Sequence, residues 1–353
     1  MSLYDVLFRR VLTRLDPERA HVIGSRLIRA AGRPGIASIV YRFCRPDPIL
    51  TTRALGMEFP SPFGIAAGFD KEGVLVDGLE ALGFGFVEVG TVTPRPQSGN
   101  PRPRLYRLPA DRALINRLGF NSPGPDAVRT NLRSVTTSRI VIGVNIGKNR
   151  DTGAADAVRD YELAARGLKD VAEYFVINVS SPNTPGLREL QRSRSLEPII
   201  RATQEAAPGV PLLVKISPDM LDEEVDEIAD LVAKCGIAGV VATNTTMGRE
   251  GLRTPKRIVE AYGEGGLSGP VLKERSIEVL HRLRARLPED AVVISVGGVE
   301  TARDVIARVE AGATLVQGYT GFVYRGPLWA RRMNRELAAW AHASRARGTT
   351  NDR

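Results

Sequence analysis

Eight short runs of apolar, mostly β-branched residues, each followed by a stretch with helical spacing, restrict this chain more than any other feature. They lie at 63–67, 86–89, 140–146, 174–179, 212–216, 238–242, 292–296 and 314–317. Runs that are apolar throughout, rather than at alternate positions, belong to strands buried on both faces. Between them apolar residues recur every three to four positions, as over 155–168, 223–234, 273–287 and 301–310. Eight such strand–helix units predict an α/β chain folded as a (β/α)8 TIM barrel, with a doubly wound open sheet as the alternative.

The strand starts fall about 22 to 38 residues apart, except for two gaps of about 54 that hold the segments 93–122 and 244–270. Both segments follow a strand, so both open on the face where barrel enzymes keep their sites. The segment before the barrel is of another kind. Residues 1–45 hold nine arginines against Asp5, Asp16 and Glu18, a net +6 of the chain's +9. Leu3, Leu7, Val11 and Leu15 lie four apart, which predicts an amphipathic helix over 3–15. Asp16-Pro17-Glu18 supplies a cap, a proline and an acid for a second helix over 17–31, which Gly32 and Pro34 stop. Two basic amphipathic helices at a terminus are expected to rest on an anionic membrane surface, the alternative being a cap on the barrel. No uncharged apolar run reaches the length of a spanning helix, and Arg9 and Arg10 interrupt the only candidate core of a cleavable signal. The expected organisation is therefore 1–45 as a helical access segment, 46–343 as the barrel and 344–353 as a polar, disordered tail.

Cys44 and Cys235 offer neither a disulfide framework nor a metal cluster, which fits a reducing compartment. His21, His281 and His342 lie far apart in helical patterns and read as packing or surface residues, so no metal site and no Ser-His triad is expected. A basic chain raises nucleic acid as a partner. Here the charge is confined to one segment and aromatic content is 6%, so no nucleic acid is expected.

In a barrel the residues just past each strand share one mouth. These are Ala67-Gly68-Phe69-Asp70-Lys71, Gly90-Thr91, Asn145 with Lys148, Asn178 with the loop Ser180-Ser181-Pro182-Asn183, Lys215, Thr243-Asn244-Thr245, Gly297-Gly298 and Gly318-Tyr319-Thr320-Gly321. The two prolines and the glycine of 182–186 exclude helix and strand there and leave a rigid loop that carries hydroxyls and carboxamides. Of only seven lysines, Lys71, Lys148 and Lys215 stand at strand ends, where a compact point charge has a use that arginine does not serve. Glycine-rich loops after the seventh and eighth strands form the common phosphate cradle of barrels. A phosphorylated, reducible flavin mononucleotide (FMN) meets these demands. A nicotinamide cofactor would call for a GxGxxG turn, and none follows a strand here.

Taken with Asn116-Arg117-Leu118-Gly119-Phe120-Asn121, Asn178 to Leu187, Ala242-Thr243-Asn244-Thr245-Thr246 and Gly265-Gly266-Leu267-Ser268-Gly269, these motifs resemble dihydroorotate dehydrogenase over about residues 1 to 340. The basic N-terminal helices and serine at 181 resemble its membrane-associated, quinone-reducing class 2, since the soluble class lacks the extension and carries cysteine there. The resemblance implies oxidation of dihydroorotate to orotate in pyrimidine biosynthesis, with FMN as hydride acceptor and a membrane quinone as final acceptor. It also implies a peripheral location at the cytoplasmic face of a bacterial cell membrane. Ser181 would take the proton from C5 of the substrate. Ala67, Gly68, Lys71, Thr91, Asn145, Asn178, Lys215, Thr243, Gly269, Gly298, Tyr319 and Thr320 would bind FMN. Lys71 would meet the substrate carboxylate and Asn116, Asn178, Asn183 and Asn244 its amide edges, with Arg117, Leu118, Gly119, Phe120 and Thr245 completing that site. Arg107 and Tyr319 would line the route from the quinone. The rival reading is a flavin barrel acting on a different pyrimidine or using a soluble acceptor. A lone hydroxyl is a poor base near neutral pH, and the sequence shows nothing that activates it.

Overall fold

Eight parallel strands close into a barrel in the computed structural model, which describes residues 3–137 and 139–348. The barrel strands are Phe63–Ile65, Phe86–Val92, Val141–Ile146, Tyr174–Asn178, Leu212–Ile216, Gly239–Ala242, Val292–Val296 and Leu315–Gly318. Each pairs with its neighbours in sequence, and the ring closes where the eighth meets the first, with Val316 opposite Phe63 and Gly318 opposite Ile65. The open doubly wound alternative is thereby excluded. Most barrel-strand residues are buried because one face meets the barrel interior and the other the surrounding helices. The interior of the lower barrel holds Phe86, Tyr174, Leu213 and Ile294. An antiparallel hairpin, Thr52–Ala54 with Met57–Phe59, plugs that end, and the Phe59 ring meets Phe86 edge-on at 5.5 Å.

At the other end the two long segments do not stay irregular. Leu105–Leu108, Ala113–Asn116 and Gly266–Ser268 form a three-stranded antiparallel sheet over the mouth, with Leu267 opposite Ile115. The sheet has a small apolar core of its own, built from Leu108, Ala113, Ile115, Val259 and Leu267.

The N-terminal segment forms three helices, where the sequence pattern predicted two. They are α1 (Leu3–Arg10), α2 (Pro17–Ala31) and α3 (Ile36–Cys44). A short 3-10 turn over Leu12–Arg14 ends the first earlier than its periodicity implied. The second begins where expected, with the Asp16 side chain accepting the Arg19 N–H at 2.9 Å and Pro17 in the first turn. Helix α3 follows Gly35, whose φ of +87 turns the chain just past the Gly32 and Pro34 that end α2. These helices pack closely on the barrel. A Cβ on Gly78 would lie 2.0 Å from the Ile28 carbonyl oxygen, so only glycine allows α2 to cross helix Val76–Ala81 at that separation. The C-terminal helix Trp329–Gly348 buries Trp329, Met333 and Leu337 and stays helical past Ser344, where the composition implied that order ends. Residues 349–353 of that expected tail lie outside the described residues.

Candidate active site

The strand ends place their polar side chains in one network. Asn178, at the end of the fourth strand, donates to Thr91 Oγ1 and to Asn145 Oδ1, each at 3.0 Å, and Thr91 donates to Asn145 Oδ1 at 2.5 Å. Asn244 Nδ2, past the sixth strand, reaches Asn178 Oδ1 at 3.3 Å and Ser180 Oγ at 2.9 Å. Beneath them lies Glu88, fully buried in the second strand. Its carboxylate accepts from Asn145 Nδ2 and from Gln317 Nε2, each at 2.7 Å, and pairs with Lys215 at 3.6 Å. A buried carboxylate is tolerated only when its oxygens are satisfied and a cation faces it, and both conditions hold here. Sequence reasoning missed Glu88 and Gln317. The one available signal was an acid inside an otherwise apolar strand.

One cavity in the mouth is lined by most of the expected residues. They include Ala67, Gly68, Lys71, Thr91, Asn178, Ser181, Asn183, Lys215, Thr243, Asn244, Thr245, Gly269, Gly298, Tyr319 and Thr320. Asn116, Leu118, Gly119 and Phe120 join them from the mouth sheet and its adjoining turn. Asn145 stands one hydrogen bond behind the lining, through Thr91 and Asn178. Arg117 is not in the lining. Its guanidinium lies over the Tyr106 ring, 4.8 Å from the centroid, and donates to the carbonyls of Tyr262 and Glu264. Successive residues along a strand face opposite ways, so when Asn116 faces in, Arg117 faces out. Lys148 also serves elsewhere, donating to the Thr152 carbonyl at 2.9 Å.

Ser181 is buried in the wall of the cavity. The Asn183 N–H donates to its Oγ at 3.3 Å, and among the described residues no carboxylate or imidazole bonds it. The loop is held from outside by Arg188, unforeseen in the sequence. It donates to the Ser180 and Thr245 carbonyls at 3.2 and 3.0 Å and to Asp219 at 2.8 Å. Lys71 is part-buried, donates to Asn121 Oδ1 at 2.5 Å and forms no ion pair among the described residues. Burial, with Arg104 adding repulsion and Glu18 offsetting part of it, brings its ammonium down to about 7.

The far wall fits a phosphorylated flavin. Gly298, with φ +70, leaves no room for a side chain, since a Cβ there would lie 2.6 Å from Lys273 Cα. Gly269, with φ +124, would place a Cβ 2.9 Å from the Ala113 backbone. These glycines open a backbone-lined corner between Val296 and Tyr319, while Lys215, Thr91 and Thr243 set a cation and hydroxyls nearer the cavity floor. A cradle of backbone amides beside a lysine and amide side chains matches the donors that a phosphate and a flat heteroaromatic ring require.

A second cavity, of about 330 Å³ and mostly apolar, opens between α1, α2 and the barrel. Leu105, Leu114 and Tyr319 line both cavities, so the two meet at the Tyr319 ring. Arg107 lies in this second cavity, where it donates to the Leu12 and Leu15 carbonyls at 2.9 Å and ties the turn between the helices to the mouth sheet. His21 is a further lining residue that the sequence pattern had assigned to packing. Its ring meets Phe69 edge-on at 5.1 Å, and Phe69 meets Tyr319 at 5.5 Å.

A family model described as dihydroorotate dehydrogenase matches residues 49–340. The chain is 57% identical over 337 residues to a protein of Clavibacter michiganensis named dihydroorotate dehydrogenase (quinone), covering 95% of this chain and 98% of that one. It is 52% identical to a protein of the same name from Thermobifida fusca, over 96% and 93% of the two chains. Among solved structures it resembles that of the Eimeria tenella enzyme in complex with ferulenol, with a TM-score of 0.86 and 38% identity over 97% and 96% of the chains.

Proposed function

The chain belongs to the dihydroorotate dehydrogenase family, and from that premise we infer how its own residues divide the work. It oxidises dihydroorotate to orotate in pyrimidine biosynthesis, with FMN as cofactor and a quinone as final acceptor. Bound FMN supplies the acceptor for the substrate's hydride. Gly298, Tyr319, Thr320 and Gly269 would hold its phosphate, and Lys215, Thr91, Thr243, Gly68 and Ala67, with Asn145 behind Thr91, would hold its ring.

Lys71 orients the substrate through its carboxylate, and Asn116, Asn178, Asn183 and Asn244 pair with its amide edges. Leu118, Gly119, Phe120 and Thr245 close around it and exclude water, while Arg117 braces the turn that carries them. Ser181 Oγ accepts the C5 proton as it gives up its own hydroxyl proton. Thr184 Oγ1, buried in the same loop without a partner among the described residues, offers a second hydroxyl for moving that proton on through water. One observation carries this assignment: Ser181 lines the same cavity as Lys71, the four asparagines and the glycine cradle.

The second cavity is read as the quinone route, past Arg107 to Tyr319. Residues 1–45 form the access segment that rests on an anionic membrane surface, and 46–343 the catalytic barrel. Leu27, Ile39 and Phe43, on α2 and α3, are 68%, 74% and 57% exposed among the arginines of this segment, the pattern of an interfacial surface. No helix among the described residues is long and apolar enough to cross a membrane, and peripheral binding at the cytoplasmic face is the reading that we adopt. The absorption spectrum of purified protein, followed anaerobically as dihydroorotate is added, tests the chemistry. A flavin spectrum should bleach rapidly in the wild type and about 10²- to 10⁴-fold more slowly in Ser181→Ala, with flavin content unchanged. Bleaching at the wild-type rate in that variant removes Ser181 from the mechanism.

A further inference from the structure

The glycine cradle rests on a buried cation. Arg308, on helix Ala302–Glu310, has 0% of its surface exposed. Its Nη2 donates to Ser276 Oγ at 2.8 Å and to the Gly297 carbonyl, and its Nη1 to the Asp304 carbonyl at 3.0 Å. Its Nε has no partner among the described residues. All three acceptors are neutral. The neighbouring Asp304 carboxylate is engaged elsewhere, by Lys273 and by the Thr301 and Glu300 N–H groups at 2.9 and 3.0 Å. Burial lowers the Arg308 guanidinium to about 10, with the nearby Asp304 charge offsetting only part of the shift, and this leaves it charged near neutral pH.

A desolvated cation whose hydrogen-bond partners are all neutral, and whose one carboxylate neighbour is already engaged by Lys273 and two N–H groups, is costly unless a further anion is bound close by. The peptide geometry indicates where that anion sits. The Gly297 carbonyl points at Arg308 and also accepts from Ser276 Oγ at 3.0 Å. The C=O and N–H of a trans peptide are antiparallel, so the Gly298 N–H is directed away from Arg308, and both glycines line the cavity.

We propose that Arg308 is the buried countercharge for the cofactor's phosphate, acting as a positioning residue that fixes the Gly297–Gly298 peptide and makes this corner selective for a phosphorylated flavin. The inference rests on the flavin reading above. Arg308 does not touch the cofactor; it acts through the peptide and through its charge. An arginine that only packed the helix against the barrel would support phosphorylated and unphosphorylated flavins equally.

The test is titration of the full chain, freed of bound flavin, with FMN and with riboflavin, read by quenching of flavin fluorescence. Arg308→Gln should weaken FMN about 10- to 100-fold while riboflavin changes less than about twofold. Arg308→Lys, which keeps the charge, should retain most of the preference. If Arg308→Gln does not fold, Ser276→Ala removes the hydroxyl shared by Arg308 and the Gly297 carbonyl, and it should lower FMN affinity several-fold, again sparing riboflavin. Equal losses for both flavins, or an unaltered FMN affinity, overturn the proposal. A wild-type chain that binds neither flavin removes the flavin reading itself, and this inference with it.

Discussion

Lys71 owes its position to its neighbour. The Asp70 carboxylate accepts the N–H groups of Gly73 and Leu75 at 2.9 and 2.8 Å and those of Glu72 and Val74 at longer range, which winds the chain after the first strand into a tight loop. That loop carries Lys71 into the cavity, where burial brings its ammonium to about 7. A bound carboxylate stabilises the charged form, so substrate and proton should bind together. Orotate affinity should therefore be flat below about pH 7 and fall above it, by at most about tenfold per pH unit, with proton uptake on binding. Equilibrium titration of orotate in buffers of different ionisation heat measures both effects. Lys71→Met should lower the affinity and abolish the slope. A slope that survives in that variant would assign the proton to another group.

Among the elements, the mouth sheet lies over the site and contributes Leu105, Leu114, Asn116 and Ser268 to its lining. Gly266, on its edge strand, lies against the loops after the fourth and sixth barrel strands. A Cβ there would fall 2.0 Å from Thr245 Oγ1 and 3.2 Å from Pro182 Cγ. Gly266→Ala must push the strand away from Thr245 and from the loop that holds Ser181, while the barrel core is untouched. We expect the melting temperature to stay within about 5 °C of wild type and flavin to be retained, because the strain lies outside the core. Orotate should bind at least about tenfold more weakly, since a displacement of this order spoils the contacts that orient it. Thermal melts and orotate titration of the holoprotein read these outcomes. Unchanged orotate affinity would show that the sheet is only a cover.

At the scale of the whole molecule, the N-terminal segment is docked and also open. Arg104 pairs with Glu18 at 3.0 Å, the Tyr4 hydroxyl donates to the Val323 carbonyl at 2.7 Å, and Phe8 packs on Tyr324 at 4.9 Å. Leu7, Val11, Leu27, Ile39 and Phe43 stay exposed to solvent, and Leu7 and Leu27 also line the cavity between helices and barrel. Removing residues 1–45 should spare bleaching by dihydroorotate. Reoxidation by a long-tailed quinone should fall far more than reoxidation by a small soluble acceptor. Binding to anionic liposomes should be lost in the truncated chain and should weaken with salt in the intact one. Should the truncated chain keep its flavin and still reduce long-tailed quinone at the full rate, the helices are a cap and no more.

What the sequence alone determined is what neighbouring residues encode. Parallel strands buried on both faces are apolar at most positions, so all eight were legible as runs, and Asp16-Pro17 marked the start of α2 because a cap acts within one turn. The roles of Ser181, Lys71 and the asparagines rest on the family resemblance; the fold brought those residues to one cavity. Tertiary structure alone decided the pairings between residues far apart in the chain. Leu267 meets Ile115, and Gln317 meets Glu88, across stretches of chain whose local patterns say nothing of one another. The direction of Arg117, the depth of His21 and the burial of Arg308 were decided in the same way. A side chain's facing and desolvation depend on what distant segments bring against it, and local periodicity does not encode that.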